Sequence, residues 1–217
     1  MKPILKITRQ LNQLKKGRSF LCLFILFLFL NGHLFAQDID DSEGFPKRST
    51  FRHAINTCVL GPFSGVFGVS YEYLISPHNG ILGRVEYETV PKTYTDANID
   101  SWGIAYSLNY REHFSHDLNT FFVGAFAWYR TYYGEGQLEN IAFDVNLSSF
   151  TVGMNVGKRF VWNNGFNAAF SIGYGLKKVN RKATPSNAAI ETVLDELEDS
   201  YDFSTPIYPE VSVGYAF

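Results

Sequence analysis

The chain has 217 residues, 19 Lys/Arg, 21 Asp/Glu and a formal net charge of −2, enough for one domain plus a removable segment. Lys2, Lys6, Arg9, Lys15, Lys16 and Arg18 precede every acid, so the remainder carries 13 bases against 21 acids, a net charge of −8. That balance argues against a nucleic-acid-binding surface, which calls for a basic patch. Cys58, the only cysteine beyond residue 36, has no partner for an intramolecular disulfide.

In chain order, the basic start is followed by Phe20–Leu30, an apolar run of eleven residues. Such a run is too short for a spanning helix, which needs about 20 residues. A basic start, an apolar centre and a small residue soon after it predict a cleaved secretory signal peptide over 1–36, cut between Ala36 and Gln37. Cys22 follows Leu21 rather than a small residue, which disfavours a lipoprotein attachment site.

Beyond residue 50 the dominant pattern has period two, which places successive side chains on opposite faces of a strand. Phe51–Leu60 alternates poorly. In Phe67–Ile75, Phe67, Val69, Tyr71, Tyr73 and Ile75 oppose Gly68, Ser70, Glu72 and Leu74. In Ile81–Thr89, Val85 and Tyr87 oppose Arg84, Glu86 and Glu88. Ser101–Arg111 is the clearest segment: Trp102, Ile104, Tyr106, Leu108 and Tyr110 form one face, and Gly103, Ala105, Ser107, Asn109 and Arg111 the other. Phe121–Tyr132 is aromatic on both faces. Phe150–Arg159 and Phe166–Lys177 alternate again, the latter with Gly173 and Gly175 on its small face. Ile207–Phe217 sets Val211, Val213, Tyr215 and Phe217 against Glu210, Ser212, Gly214 and Ala216.

Eight such segments predict an all-β, antiparallel up-and-down barrel. A soluble lipocalin-like barrel or β-sandwich also alternates, with its apolar face inward. Here the polar face is mostly Gly, Ser and Asn, which suits a narrow filled lumen. The apolar face is rich in Tyr, Phe and Trp, which suits the girdles at lipid boundaries. The expected organisation is therefore a signal peptide over 1–36, a short periplasmic segment over 37–50 and an outer-membrane β-barrel over 51–217. Cys58 reads as a small hydrophobe on an apolar-facing wall.

Connection lengths give the orientation, because such barrels have short periplasmic turns and longer outer loops. Ser76–Gly80, Glu112–Asn119 and Trp162–Gly165 are the short set. Pro91–Asp100, Tyr133–Asn146 and Val179–Asp202 are the long set, with Gly61–Ser64 a short exception. Both termini fall on the periplasmic side.

The alternating apolar positions Val211 and Val213, followed by Tyr215 and a terminal Phe217, resemble the closing strand of bacterial outer-membrane barrels. With the signal peptide and eight strands, the chain resembles the small OmpA/OmpX-like β-barrel families of Gram-negative bacteria over nearly all of 51–217. The resemblance implies outer-membrane location and reading of Tyr215 and Phe217 by the barrel-assembly machinery. It brings no catalytic motif.

The lumenal face predicts a polar cluster of Glu72, Arg84, Glu86, Glu88, Arg111, Arg130, Arg159 and Glu210, with Lys177 nearby. Mixed signs favour a salt-bridged plug over a conducting path, since eight strands enclose a space that side chains fill and buried charges must be paired. His53, His78, His113 and His116 all fall at the periplasmic end, where a base cannot reach lipid in the outer leaflet. His113 and His116 are expected to be solvated turn residues lacking further metal ligands. No catalytic residue, cofactor or metal is expected. Gly173-Tyr174-Gly175 reads as a small lumenal face rather than a nucleotide fingerprint. In the loop 179–202, Pro185 and Ser186 could start a helix with Ile190, Val193, Leu194 and Leu197 on one face. This loop is the candidate surface for a protein partner. The functional expectation is a structural or interaction barrel in outer-membrane lipid, working through its outer loops. A narrow solute channel is the alternative, and a lipid-modifying enzyme the third.

Overall fold

The computed structural model describes residues 51–59, 61–89, 99–138, 140–200 and 206–217; the expected signal peptide and the segment 37–50 lie outside the described residues. Eight strands, β1 (His53–Cys58), β2 (Val66–Leu74), β3 (Asn79–Glu88), β4 (Asp100–His113), β5 (Phe121–Leu138), β6 (Ile141–Val161), β7 (Phe166–Thr184) and β8 (Ile207–Ala216), follow one another around a closed barrel. Every pair is antiparallel, and the ring closes where β8 pairs with β1, from Ala54↔Ala216 to Cys58↔Ser212. Closure gives every strand a neighbour on both sides, although the β7–β8 register stops at Tyr174↔Ile207 and β7 continues to Thr184 paired with β6.

Alternation decides which face is inside. Along β4 the even-numbered Trp102, Tyr106, Leu108 and Tyr110 are exposed, while Gly103, Ala105, Asn109 and Arg111 are buried. Phe121–Tyr132, ambiguous in sequence, resolves the same way: Phe121 and Tyr129 point outward and Phe122, Phe126 and Trp128 inward. In β1, Cys58 shares the inward parity of Ala54 and Asn56. It therefore lies on the lumenal face, contrary to the expectation of an apolar-facing wall.

One end carries both barrel termini and three tight connections. The turn at Ser76 is fixed by its hydroxyl, which accepts from the Asn79 backbone N–H at 3.1 Å and side-chain amide at 2.7 Å. At the β6–β7 turn Gly165 has φ +86°, and a Cβ there would lie 2.6 Å from the Ala216 carbonyl oxygen. Glycine alone fits that approach.

The opposite, wide end departs from expectation. Tyr133–Asn146 is not a loop: β5 and β6 continue through it, pairing as far as Leu138↔Ile141. The tight turn is made by Asn140 at φ 68°, a left-handed conformation that Asn tolerates. Glycines in the segment read as loop residues, yet Gly136 is what lets the Phe143 ring pack inward, since a Cβ there would lie 2.6 Å from its Cζ. Similarly, β7 runs on to Thr184 through residues assigned to a loop. The strands β5, β6 and β7 have 18, 21 and 19 residues, whereas about 9–11 suffice to cross a membrane. Helix α1 (Ala188–Ser200) follows. Asn187 caps it, accepting from the Ile190 N–H at 2.9 Å, one residue later than the expected start. Ile190, Val193 and Leu194 pack against Ile99, Tyr132, Phe143, Val145, Leu147 and Ala183. The helix thus closes over the inner face of the extended strands. The side chain of Leu197 is outside the described residues.

Candidate functional site

The interior is layered from the turn end to the wide end. The turn end is closed by an apolar layer of Phe51, Ala54, Leu74, Leu118, Val161 and Ala216. Above it, β2, β3, β4, β6 and β8 each send charged side chains inward, because their even or odd registers align around the ring.

Glu72 is the hub of that layer. Its Oε2 accepts from Arg111 Nη1 at 3.0 Å and from Arg159 Nη2, while its Oε1 lies 2.9 Å from His113 Nε2. Arg111 reaches on to Glu210 at 3.0 Å. Glu210 binds Arg84 at 2.6 Å, and Arg84 lies 3.7 Å from Glu86. Arg159 also donates to Asn56 Oδ1 at 3.0 Å and Asn167 Oδ1 at 2.9 Å. Three arginines thus meet three glutamates. Arg111, Arg159 and Glu72 are at most 1% exposed. Burial of so many charges is tolerable only because each is paired. A guanidinium face also covers the Phe122 ring, with Arg111 Cζ 4.2 Å from its centroid.

A second ion pair sits nearer the wide end. Arg130 donates to Glu88 at 2.7 Å through Nη2 and at 3.2 Å through Nε. Its guanidinium lies 4.8 Å from the Trp128 ring. Trp128 and Phe126 in turn both pack edge-on against Tyr208, at 5.1 and 5.4 Å between centroids. The Phe126 ring rests on Gly153, Gly173 and Gly175, where added Cβ atoms would come within 2.8–3.3 Å of it. That is the physical role of Gly173 and Gly175, the small lumenal face read from sequence.

All eight members of the predicted lumenal cluster therefore point inward, and they form two groups rather than one. Lys177 also lies on the inward parity, its Nζ 5.3 Å from the Tyr208 ring. Sequence reasoning missed Asn56, which the weak alternation of β1 concealed, and the aromatic Tyr208. It also misplaced His113, expected to be solvated: His113 is 1% exposed because β4 runs on to it. The other histidines do lie at the turn end. His78 Nε2 sits 3.2 Å from His116 Nε2, and His53 Nδ1 2.7 Å from the Tyr71 hydroxyl. No group of three or more His, Cys, Asp or Glu side chains able to hold a metal occurs among the described residues.

The outer surface inverts this chemistry. Leu176 is 73% exposed, Met154 68%, and Leu108 and Val69 60% each. Tyr71, Tyr110, Phe121, Phe166 and Tyr215 flank that belt toward the turn end, and Tyr87, Trp102, Tyr106, Tyr129 and Tyr133 flank it toward the wide end.

Residues 21–216 match the family described as "Protein of unknown function (DUF3575)". The chain belongs to that family. Its members' shared description names no activity, so the barrel's chemistry has to be argued from its own residues. The crystal structure of CarO from Acinetobacter baumannii is similar with a TM-score of 0.32 at 13% identity, over 79% of this family member and 99% of CarO. No curated protein matches.

Proposed function

We propose that the protein is an outer-membrane barrel, exported by its signal peptide, with a structural or interaction role exercised at the wide end. The observation that carries this reading is the inversion of polarity. Ion pairs fill the centre, and a continuous belt of large apolar side chains faces outward. In water, exposed apolar patches beyond a few hundred Å² are rare and mark interaction surfaces. In a bilayer, the same belt is the ordinary lipid-facing surface, framed by aromatic girdles. The long connections from β3 to β4 and from β7 to β8 support placing the turn end in the periplasm and the wide end outside, while the tight β5–β6 turn does not contribute to that argument. The resemblance to small OmpA/OmpX-like barrels agrees with that placement.

A solute channel is the second reading. The lumen argues against it: the apolar floor, the Glu72 network, the Phe126–Trp128–Tyr208 layer and helix α1 succeed one another along its length. Catalysis is not part of the proposal, since the histidines lie at the end assigned to the periplasm. Two measurements test the reading together. Membrane fractionation should place the protein in the outer membrane. Planar bilayers containing the purified protein should show no discrete conductance steps. Recovery in the periplasmic fluid would overturn the location, and regular single-channel steps would overturn the closed lumen.

A further inference from the structure

Two histidines meet at the turn end, outside the lumen. His78 stands in the turn between β2 and β3, and His116 in the connection between β4 and β5. They are 38 positions apart in sequence, yet their Nε2 atoms lie 3.2 Å from each other, with ring centroids at 4.2 Å. His116 is exposed and His78 half-buried, so solvent reaches the pair.

Each ring stands on a braced turn. The Ser76 hydroxyl accepts from the His78 backbone N–H at 3.3 Å, and the His78 carbonyl accepts from the His113 N–H at 2.6 Å. On the other side, the Thr120 hydroxyl accepts from the Ser115 N–H at 3.1 Å and donates to the Ser115 hydroxyl at 3.0 Å.

The tautomer of His78 follows from its second ring nitrogen. Nδ1 lies 3.0 Å from the His113 carbonyl oxygen, which can only accept. Nδ1 therefore carries the proton, and the Nε2 that faces His116 presents a bare lone pair. A backbone carbonyl behind Nδ1 is the arrangement that orients metal-binding imidazoles and raises their basicity. Two nitrogens held at about 2.0–2.1 Å by a tetrahedral zinc ion stand roughly 3.3 Å apart, close to the Nε2 separation here. An ion between the rings requires His116 to keep its proton on Nδ1. A proton on its Nε2 fills the same gap with a hydrogen bond instead.

We propose that His78 and His116 bind one zinc-type divalent ion at the turn end, with water completing its coordination. Imidazole suits zinc, copper and nickel, whereas magnesium and calcium take oxygen ligands. The ion ties the β2–β3 turn to the β4–β5 connection, and an ion bound only by the folded chain stabilises it. The site goes beyond the role proposed above and does not depend on the membrane reading.

The test titrates ZnCl2 into the purified, tag-free barrel in detergent and follows binding by calorimetry, with MgCl2 in a parallel run. The expected result is one saturable zinc site per chain and none for magnesium. His78→Ala and His116→Ala, each checked for its folded gel form, should bind zinc about tenfold or more weakly, at least the loss caused by removing an outer partner of a ligand. The urea midpoint of the parent should be higher in zinc than in EDTA, and those of the two variants should not differ. If an alanine variant fails to fold, His116→Gln, which keeps a polar side chain in the exposed turn, takes its place with the same expectation. A folded parent without saturable zinc binding, or a folded variant that binds as the parent does, would overturn the site. The same titration runs in plain buffer if the chain proves water-soluble, so failure of the membrane reading leaves this test intact.

Discussion

His53 and Phe217 clasp the first and last strands of the barrel together: each backbone N–H donates to the other's carbonyl at 2.9 Å, and their rings stack with centroids 5.4 Å apart. The Tyr73 ring stacks on the other side of His53 at 4.9 Å, so the last residue, the first strand and the second are joined in one ladder. Closure of the ring depends on this seam, because without it β1 and β8 would present open edges with unpaired backbone groups.

Phe217→Asp should impair assembly in cells more than it impairs the folded barrel. The substitution keeps the backbone bonds, the ring it removes contributes at most about 1.5–3 kcal/mol of burial, and the carboxylate it adds stands at a half-exposed position. Outer-membrane abundance should fall severely, while folding of the purified protein into lipid vesicles stays near that of the parent. Wild-type abundance of the variant in the outer membrane would show that the chain end is not read during assembly.

Glu72→Gln should be among the most damaging single changes in the lumen. It keeps the side chain's shape and leaves Arg111 and Arg159, both buried, short of their shared anion. Removing one partner of a buried ion pair typically costs about 3–5 kcal/mol. Urea titrations in vesicles should show that loss for Glu72→Gln, and a smaller one for Lys178→Gln on the exposed side of the same barrel. Equal, small effects would mean that the lumen is hydrated and open.

Gly136→Val tests the extension of β5 and β6 beyond the belt. A Cβ at Gly136 would press on Phe143 and Ile99 side chains, and overpacking of this kind costs roughly 1–3 kcal/mol. Phe143→Leu should recover part of the loss, because the nearest clashing atoms belong to that ring. Protease sensitivity at the wide end, read by mass spectrometry, should rise in the single variant and fall back in the double. A pair of additive, independent effects would return 133–146 to the loop first expected from its composition.

On the membrane-barrel reading, Leu108→Arg should cost about 2–4 kcal/mol near the membrane midplane, and Leu108→Ala much less, since the side chain is exposed rather than packed in a core. Both are measured by the same vesicle titration. The outward side of β4 would be wrongly assigned if alanine were as harmful as arginine.

The strands were legible wherever one face is uniformly apolar, as in Ser101–Arg111, because every second residue there lies on the exposed apolar face. The signal faded in two kinds of place. In Phe121–Tyr132 both faces are aromatic: Tyr129 meets the outside, while Phe126 and Trp128 fill the lumen against Tyr208. Above the apolar belt, in Tyr133–Leu138 and Ile141–Asn146, polar residues return to the outward face and the segment reads as a loop. The helix was visible as a period of Ile190, Val193 and Leu194. What it packs against was not, because Phe143 and Val145 belong to that same unrecognised extension. The charged cluster was legible as a list of inward residues. Its connectivity was not, since Glu72 and Arg159 are 87 positions apart in sequence and meet only because the ring closes.

The central claim is that the apolar belt faces lipid and the charged layer does not. Single cysteines at Leu108, Met154 and Thr151, introduced after Cys58→Ser, can each carry a small fluorophore in the refolded barrel. Vesicles whose lipids bear quenching groups at graded acyl depths then report what surrounds each site. Quenching should be strong at Leu108 and Met154, deepest for groups near the chain ends, and weak at the buried Thr151. Equal quenching at all three positions, or none at Leu108 and Met154, would contradict the account.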